Sequence, residues 1–347
     1  MRVIKIFLLF VCCISLDVQS QTFLSDTLGI NEDGSVIIAK SLALPGWILG
    51  VDVDSTDNLL FIRYRNLSKN ETSLKNKGGI SVYSLADQRM LWQRPVNYFN
   101  QDPKLTSEGV LFVTMGKATS LLDLKTGNEV WKKKKMIPYC VDAKNRMFLA
   151  YKGSYMNGVS NELEGHSLAT GEKMWSRKMS HVYGWNESGL LDDSTRLIVS
   201  DGIHLVHMGN GEGPSYAMPT GASDYKEAVA LGALGVVTGV LTGFAAVPTG
   251  PKKVMELVSN VLSDDTVFYV ASRENLFCLD RQLQPKWGYP IPDGMGSRSH
   301  LFARGDSLYM INMGTGYRNT IFDTSEAYAH EYLRLKVGWP FIACFDK

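Results

Sequence analysis

The chain has 347 residues, of which 45% are hydrophobic and 20% are charged, with 36 Lys and Arg against 35 Asp and Glu. This composition provides for a large apolar core and excludes an intrinsically disordered chain. Because there is no excess of basic residues, we expect no binding to nucleic acid or to anionic membranes through net charge.

The N-terminal segment 1–20 has the pattern of a secretory signal peptide. Two basic residues precede the apolar run Ile6–Ile14, and Val18–Ser20 precedes a predicted cleavage before Gln21. The apolar run is shorter than the ~20 residues that a membrane-spanning helix needs. We therefore expect an exported protein, periplasmic, cell-surface or secreted, whose mature chain 21–347 forms one domain.

Three cysteines follow the signal peptide, namely Cys140, Cys278 and Cys344. An odd number in an exported protein means that at least one cysteine stays free or pairs between chains. Cys278 and Cys344 lie in the equivalent apolar segments LFCLD and IACFD, so that we expect them to be small buried hydrophobic residues.

A degenerate repeat organises the rest of the chain. Its copies SLADQRMLW, DLKTGNEVW, SLATGEKMW and DRQLQPKW end at Trp92, Trp131, Trp175 and Trp287. In the two fullest copies, Gly127 and Gly171 supply the positive φ that a tight turn between strands needs. These six residues are the structural repeat positions that the sequence predicts.

Alternating apolar strands precede each copy of the repeat, for example at 111–113 and 147–150. One copy cannot bury its apolar face alone, whereas copies stacked around an axis can, as four-stranded blades of a β-propeller. The predicted fold is therefore all-β, with six blades, or seven if the insertion described below contains strands. The predicted blades cover residues 47–96, 97–135, 136–179, 180–218, 219–290 and 291–347.

The two chain ends of this predicted propeller each carry an incomplete element. The last blade ends in the strand Pro340–Asp346, its third, and the strand Val36–Leu44 near the mature N-terminus has no blade of its own. Pairing the two would close the ring and remove an open sheet edge. We expect that closure.

The copies that end at Trp131 and Trp175 resemble the pyrroloquinoline-quinone-type (PQQ-like) repeat, whose blades carry an Asp-x-x-Thr-Gly-x-x-x-Trp core. The copies at Trp92 and Trp287 keep the tryptophan and lose the glycine. This resemblance implies an exported β-propeller. Some proteins with such repeats are quinone-dependent dehydrogenases, and others bind no cofactor and act as scaffolds.

The dehydrogenases with such repeats generally have more blades, and many carry adjacent cysteines over the cofactor. The adjacent pair Cys12–Cys13 of this chain lies in the predicted signal peptide, and no motif matches the family's metal-binding Glu, Asn and Asp. We therefore expect neither a cofactor nor quinone-dependent dehydrogenase activity.

A Gly-rich apolar insertion at about 219–253 interrupts the repeat. Within Glu227–Val247, Gly235, Gly239 and Gly243 recur every four residues, a spacing that permits close helix packing. The segment is predicted either to pack on the propeller or to face a partner or a surface. A membrane span is disfavoured, because it would separate the blades on its two sides.

Three polar patterns have simple structural interpretations. His204 and His207 are an odd number of residues apart on a predicted strand, so that they face opposite ways and should not share a metal. Asp52–Asn58 reads as a turn, with a calcium loop as the less favoured alternative. Lys132–Lys135 is typical of a solvated outer strand, with a polyanion contact as the alternative.

The sequence supports two hypotheses about function. The first is a non-catalytic exported scaffold that binds a protein or a glycan through its loops. The alternative is an enzyme of small-molecule or glycan metabolism with its site at the mouth of the propeller channel. The candidate polar residues for such a site lie near predicted strand ends and are Tyr151, Tyr155, His181, Arg298 and His300.

Overall fold

The computed structural model describes residues 23–154, 158–182, 187–224, 252–255, 257–319 and 332–347. Within these residues the secondary structure consists of antiparallel strands, and no helix is present. The chain divides into two compact units, Met1–Phe99 with Lys125–Gly127, and Asn100–Leu124 with Asn128–Lys347. The predicted signal peptide 1–20 lies outside the described residues and stays a prediction, as does the single domain 21–347.

The first unit contains a hairpin and one blade in its described part. The N-terminal hairpin pairs β1 (Phe23–Ile30) with β2 (Val36–Leu42). Blade 1 has the strands β3 (Trp47–Asp54), β4 (Leu59–Leu67), β5 (Leu74–Ser84) and β6 (Arg89–Asn97). Phe61, Ile80 and Val82 on the two central strands are fully buried, as the alternating apolar sequence predicts.

The second unit begins with three four-stranded blades. Blade 2 has β7 (Gln101–Thr106), β8 (Gly109–Thr114), β9 (Ala118–Leu122) and β10 (Glu129–Lys134). Blade 3 has β11 (Met136–Asp142), β12 (Met147–Ser154), β13 (Gly158–Ser167) and β14 (Lys173–Lys178). Blade 4 has β15 (Glu187–Leu190), β16 (Thr195–Val199), β17 (Gly202–His207) and β18 (Ser215–Ala217).

Three further sheets complete the second unit. Blade 5 has β21 (Leu262–Ser263), β22 (Val267–Ala271), β23 (Asn275–Asp280) and β24 (Pro285–Pro290). Blade 6 has three described strands, β25 (Ser299–Arg304), β26 (Ser307–Asn312) and β29 (Phe341–Asp346). An inserted sheet has the order β19 (Ala222–Asp224), β20 (Lys252–Met255), β27 (Thr315–Asn319) and β28 (Tyr332–Lys336).

Consecutive blades of the second unit pack through shared apolar clusters. These clusters contain Leu121 and Phe148 for blades 2 and 3, Leu149 and Ile198 for blades 3 and 4, Val199 and Phe268 for blades 4 and 5, and Tyr269 and Met310 for blades 5 and 6. The inserted sheet contributes no residue to these four clusters as described. Blade 5 therefore packs directly on blade 4.

The predicted blade boundaries hold for the first four blades, and the fifth needs a correction. The range 219–290 was predicted as one blade, but blade 5 occupies only Leu262–Pro290. The strands Ala222–Asp224 and Lys252–Met255 pair instead with a hairpin that interrupts blade 6. Sequence patterns could not show this pairing, because the two partners are short and far apart in the chain.

The predicted ring closure is not found among the strand pairs that the structure describes. Val36–Leu42 pairs with Phe23–Ile30, whose polar sequence had not been recognised as a strand. A turn closed by the bond from Asn31 N to Ser35 O, at 2.8 Å, joins the two strands. This local partner is reached with a much smaller loss of chain entropy than a partner at the other end of the sequence.

Candidate functional site

Tryptophan rings dock onto glycines in the turn of the following blade. The ring of Trp131 on β10 lies over Gly171, where an added Cβ would come within 2.7 Å of Trp131 Cδ2. Gly171 also has φ +67°, which a side chain would strain. The indole N–H of Trp131 donates to the carbonyl of Leu168 at 2.8 Å, so that the ring and the turn fit in one orientation.

The same arrangement recurs between blades 3 and 4. The indole of Trp175 donates to Met208 O at 2.7 Å, and its ring covers Gly211, whose φ is +77°. The sequence of blade 4 was predicted to be degenerate at this turn, with His207–Gly211 in place of the repeat. Gly211 nevertheless occupies the position that Gly171 has in blade 3.

The two partial copies differ from each other, since Trp92 keeps the contact and Trp287 does not. In the first unit, an added Cβ at Gly127 would come within 2.7 Å of the Trp92 ring, so that this contact matches the fuller copies. In blade 5 the turn residue is Leu283, at φ +58°, and its side chain is buried. Trp287 is half-buried and contacts Tyr269, with ring centroids 6.0 Å apart.

A second contact between blades is made two residues after Trp131 and two residues after Trp175. Lys133 forms an ion pair with Glu172 at 2.7 Å. The guanidinium of Arg177 donates to the carbonyls of Leu205 and Gly213, both at 2.8 Å. This role of Arg177 is not among the sequence predictions, although its position after Trp175 matches that of Lys133 after Trp131. The outer strands β10 and β14 thus each contact the next blade at two points.

A buried charged cluster lies beneath the Gly171 turn. Glu164 is only 1% exposed, and its Oε2 lies 3.0 Å from Nε2 of His166. The other ring nitrogen of His166, Nδ1, donates to the carbonyl of Gly171 at 3.1 Å. Lys152 Nζ lies 3.2 Å from Glu164 Oε1. The cluster thus ties the turn to the strands β12 and β13.

Burial and hydrogen bonding act in opposite directions on Glu164. Burial raises the pKa of this carboxyl, but hydrogen bonds from His166 and Lys152 lower it by more, so that its pKa lies below the ordinary value. The carboxylate of Glu164 therefore has His166 at one oxygen and Lys152 at the other.

Of the polar residues proposed for a channel-mouth site, the structure brings Tyr151 and His181 together. Tyr151 is fully buried and contacts the ring of His181, at a centroid distance of 4.7 Å. His181 donates from Nε2 to Ser160 O at 2.9 Å. Arg298 lies beside blade 6 and bonds through its backbone to Thr315, whereas His300 is exposed on β25. Tyr155 lies outside the described residues.

The histidine pair on β17 faces both ways, as its spacing predicts. His204 is buried and its Nδ1 lies 2.7 Å from Ser215 Oγ, whereas His207 is exposed. Burial, and then the positive charge of Arg177, lower the pKa of His204 to about 4. Among the described residues, no group of three or more His, Cys, Asp or Glu could hold a metal ion.

The acidic turn of blade 1 is held by its own contacts. Asp54 Oδ1 accepts from the backbone N–H of Thr56 at 3.0 Å, which is the geometry of a side-chain-closed turn. Asp52 pairs with Arg63 at 3.2 Å and Asp57 with Lys125 at 2.8 Å. These carboxylates thus face cationic side chains, in accordance with the turn interpretation.

The three cysteines have different surroundings and form no disulfide with one another. Cys278 on β23 is buried, as expected. Burial raises the pKa of the Cys140 thiol to about 11. The prediction of burial is wrong for Cys344, which is exposed on β29 because this strand lies at the edge of blade 6.

The inserted sheet brings two connecting segments to one end. Asp224 pairs with Lys252 at one connection, and Asn319 pairs with Tyr332 at the other. The register of Val254 opposite Arg318 places both connections at the same end of the sheet. The Gly-rich apolar stretch of the first connection lies outside the described residues. The described part of the chain contains no helix with the length and apolar character needed to cross a bilayer.

Solved structures with similarity to the chain include three proteins of different kinds. BamB from Moraxella catarrhalis is 13% identical, with 80% of this chain and 85% of that chain covered and a TM-score of 0.33. Hsv2 from Kluyveromyces lactis is 9% identical, with coverages of 87% and 90% and a TM-score of 0.37. The quinohemoprotein alcohol dehydrogenase ADHIIG from Pseudomonas putida HK5 is 11% identical, with coverages of 87% and 57% and a TM-score of 0.40.

The family of this chain follows from a comparison of its sequence with profiles of protein families. No curated protein matches the sequence at a significant level. The profile of PQQ_2, described as "Outer membrane protein assembly factor BamB", matches residues 50–284. The matched region contains three repeat copies in full, and the fourth except for its last three residues, which end at Trp287. The match confirms the predicted PQQ-like repeat and the β-propeller class. Since it spans more than half of the sequence, the chain belongs to the PQQ_2 family of BamB-type outer membrane protein assembly factors.

Proposed function

We propose that this protein is a non-catalytic scaffold of the cell envelope that binds protein partners during outer-membrane protein assembly. The description of the matched family indicates outer-membrane protein assembly as the process. The predicted signal peptide indicates the cell envelope as the compartment. A glycan partner and a channel-mouth enzyme stay predictions from the sequence alone. The observation that carries the proposal is the inserted sheet, a feature added to a regular series of blades.

The polar residues inside the blade series serve its own cohesion. Arg177 directs its guanidinium to carbonyls of blade 4, and Glu164 and His166 hold a turn of blade 3. Tyr151 and His181 pack against each other. Such contacts make a rigid platform, on which added segments can be presented to a partner.

The inserted sheet presents such segments. Its two connections start and finish at one end of a four-stranded sheet, outside the apolar clusters that join the blades. One connection contains the apolar stretch Glu227–Val247, and the other, 320–331, contains Asp, Glu, Tyr and Phe. The apolar sequence of one connection and the acidic and aromatic residues of the other favour a protein partner over a polyanion.

The proposal is tested by shortening the apolar connection. Since Asp224 and Lys252 face each other in an antiparallel pair, the dipeptide Asn-Gly can replace residues 225–251 and close a two-residue hairpin. A photo-crosslinking amino acid at Ser223 is introduced into this variant and into the otherwise unchanged chain, each in the native host. We expect the unchanged chain to crosslink to identified outer-membrane assembly proteins, and the shortened variant to lose these products.

A matched control separates partner binding from a general loss of apolar sequence. Phe99→Ser removes an exposed aromatic side chain elsewhere, and we expect it to leave the crosslinks unchanged. Thermal unfolding of the purified variants verifies that the blades persist. Equal crosslinking of the shortened and unchanged chains, or the absence of envelope assembly proteins from the products, would contradict the proposal.

A further inference from the structure

A buried arginine between blades 3 and 4 uses few of its hydrogen-bond donors. Arg196 on β16 is 7% exposed, and its Nη1 donates to the hydroxyl oxygen of Ser188 on β15 at 3.0 Å. Its Nε is buried and has no hydrogen-bond partner in the described part of the chain. Arg196 also forms no ion pair with a carboxylate of the described residues. The guanidinium is thus a buried positive charge without a matching negative charge in contact with it, which is costly.

The side chain of Arg196 points toward blade 3. Ile198 lies two residues further along β16, on the same face, and belongs to the apolar cluster that joins blades 3 and 4. Cys140 on β11 packs against this cluster, and its thiol contacts the hydroxyl group of Ser188. Cys140 and Ser188 are both half-buried. The guanidinium therefore lies behind two small polar side chains that solvent partly reaches.

The titratable groups nearest to Arg196 do not neutralise it. Burial raises the pKa of the Cys140 thiol to about 11, so that this thiol is uncharged at neutral pH. Asp142, two residues further along β11, is buried. Its two carboxylate oxygens accept hydrogen bonds from Asn145 at 3.2 and 2.9 Å and not from Arg196. One negative charge in direct contact with the guanidinium would remove the cost of its burial.

The donors of Arg196 that remain available indicate which anion fits. Because Nη1 is bonded to Ser188, the N–H groups of Nε and Nη2 remain on one edge of the guanidinium. Two parallel donors match the two oxygens of a carboxylate. A chloride ion cannot accept both bonds in this parallel geometry, and one guanidinium balances one charge and not the two of sulfate. Since Ser188 accepts from Nη1, its own O–H can donate to the same carboxylate.

We propose that Arg196 and Ser188 bind the carboxylate group of a small organic acid between blades 3 and 4. Nε and Nη2 of Arg196 donate to its two oxygens, and the rest of the acid lies toward Cys140 and the solvent. The flanking side chains of Cys140 and Ser188 limit the acid to a small one, of about the size of acetate. This inference does not depend on the proposed scaffold function.

The first test uses Cys140 as a reporter in the purified full-length protein. Iodoacetate and iodoacetamide alkylate the same thiolate, but only iodoacetate has a carboxylate that Arg196 can hold beside the sulfur. Mass spectrometry of peptides measures both rates at Cys140 and at the exposed Cys344. We expect the ratio of the iodoacetate rate to the iodoacetamide rate to be at least about tenfold higher at Cys140 than at Cys344.

A titration with acetate measures binding directly. Acetate replaces chloride at constant ionic strength, and it should slow the alkylation of Cys140 by iodoacetate to a plateau while leaving Cys344 unchanged. It should also raise the unfolding temperature by about 2 °C when most of the protein has bound it. The unfolding temperature decides the result if Cys140 reacts too slowly with both reagents.

Two substitutions separate carboxylate binding from a general effect of charge. Arg196→Met removes the guanidinium, and it should lower the rate ratio at Cys140 to that at Cys344 and abolish both effects of acetate. Since it also removes a buried unpaired charge, we expect it to unfold at no lower temperature in buffer without acetate. Arg304→Met removes an exposed arginine on β25 and should leave the rate ratio and the effects of acetate unchanged.

Three results would overturn the proposal. Equal rate ratios at Cys140 and Cys344, with no effect of acetate on the unfolding temperature, would show that Arg196 holds no carboxylate. Protection of Cys140 by chloride or sulfate as strong as that by acetate would show a site without preference for carboxylates. Effects of acetate that persist in Arg196→Met would show that acetate binds elsewhere. All three would leave the crosslinking test of the proposed function unaffected.

Discussion

The indole N–H of Trp131 donates to the backbone carbonyl of Leu168, 37 residues further along the chain, at 2.8 Å. This bond connects the outer strand of blade 2 to the turn of blade 3, and Trp175 makes the equivalent bond to Met208. The repeated tryptophan is thus a directional contact between neighbours, with a polar atom as well as a ring. Its two parts can be tested separately.

Trp131→Phe keeps an aromatic ring and removes the N–H donor. The carbonyl of Leu168, a fully buried residue, then has no partner from the indole, and we expect the free energy of unfolding to fall by about 1–3 kcal/mol. Urea unfolding followed by circular dichroism measures this change. Trp287→Phe is the control, because the described contacts of Trp287 are made by its ring, and it should cost less.

Gly171→Ala tests the surface on which the ring rests. The new Cβ would lie 2.7 Å from Trp131 Cδ2 at a φ of +67°, and we expect a loss of at least about 2 kcal/mol in the free energy of unfolding. Gly189→Ala, which has nothing within 4 Å of its added Cβ, should change stability by less than about 1 kcal/mol. Similar losses for both variants would contradict the docking role of Gly171.

Because of His204, we expect the free energy of unfolding to depend on pH between about 4 and 6.5. Its pKa of about 4 in the folded chain lies below the ordinary 6.5, so that the unfolded chain binds the proton more readily. Stability is therefore fully present above about pH 6.5 and falls by about 3 kcal/mol as the pH drops to 4. His204→Leu should flatten this part of a series of urea unfolding curves. His207→Leu, an exposed change on the same strand, should leave it in place.

Glu164 is expected to affect the free energy of unfolding at lower pH than His204. Its folded pKa lies below the ordinary 4.5, so that its contribution is present above about pH 4.5 and is lost as the pH falls through the folded value. Glu164→Gln should abolish this acid loss and should lower stability at pH 7 by about 3 kcal/mol, because His166 and Lys152 lose a buried partner. Unfolding curves from pH 3 to 7 measure both effects. Glu172→Gln, at the exposed end of the ion pair with Lys133, should have the smaller effect at pH 7.

Local patterns predicted most of the blade series. The buried strands around Leu111 and Phe148 could be predicted from alternating apolar residues, and the turns from Gly127 and Gly171. Both features depend only on a few neighbouring residues. The role of Gly211 was missed because the residues around it do not match the repeat. The positive φ in the turn of blade 5 could not be predicted either, because the residue that adopts it is Leu283 and not a glycine.

Features that depend on distant partners could not be predicted. β19 and β20 have three and four residues, too few for a periodic pattern, and their sheet is completed by strands about sixty residues away. The exposure of Cys344 depends on what covers β29, which its own sequence does not specify. The contact between Tyr151 and His181 also depends on packing between distant segments, which the position of each residue near a strand end does not specify.

The inserted sheet has a consequence for the order in which the chain folds. Most strand pairs of the blades are local hairpins, which need only residues close together in the chain, whereas Val254 pairs with the distant Arg318. The intervening residues include the whole of blade 5. Because closing a long loop costs more chain entropy than closing a hairpin, this sheet is expected to assemble after that blade. The completed sheet is therefore a late product of folding, formed once blade 5 is in place.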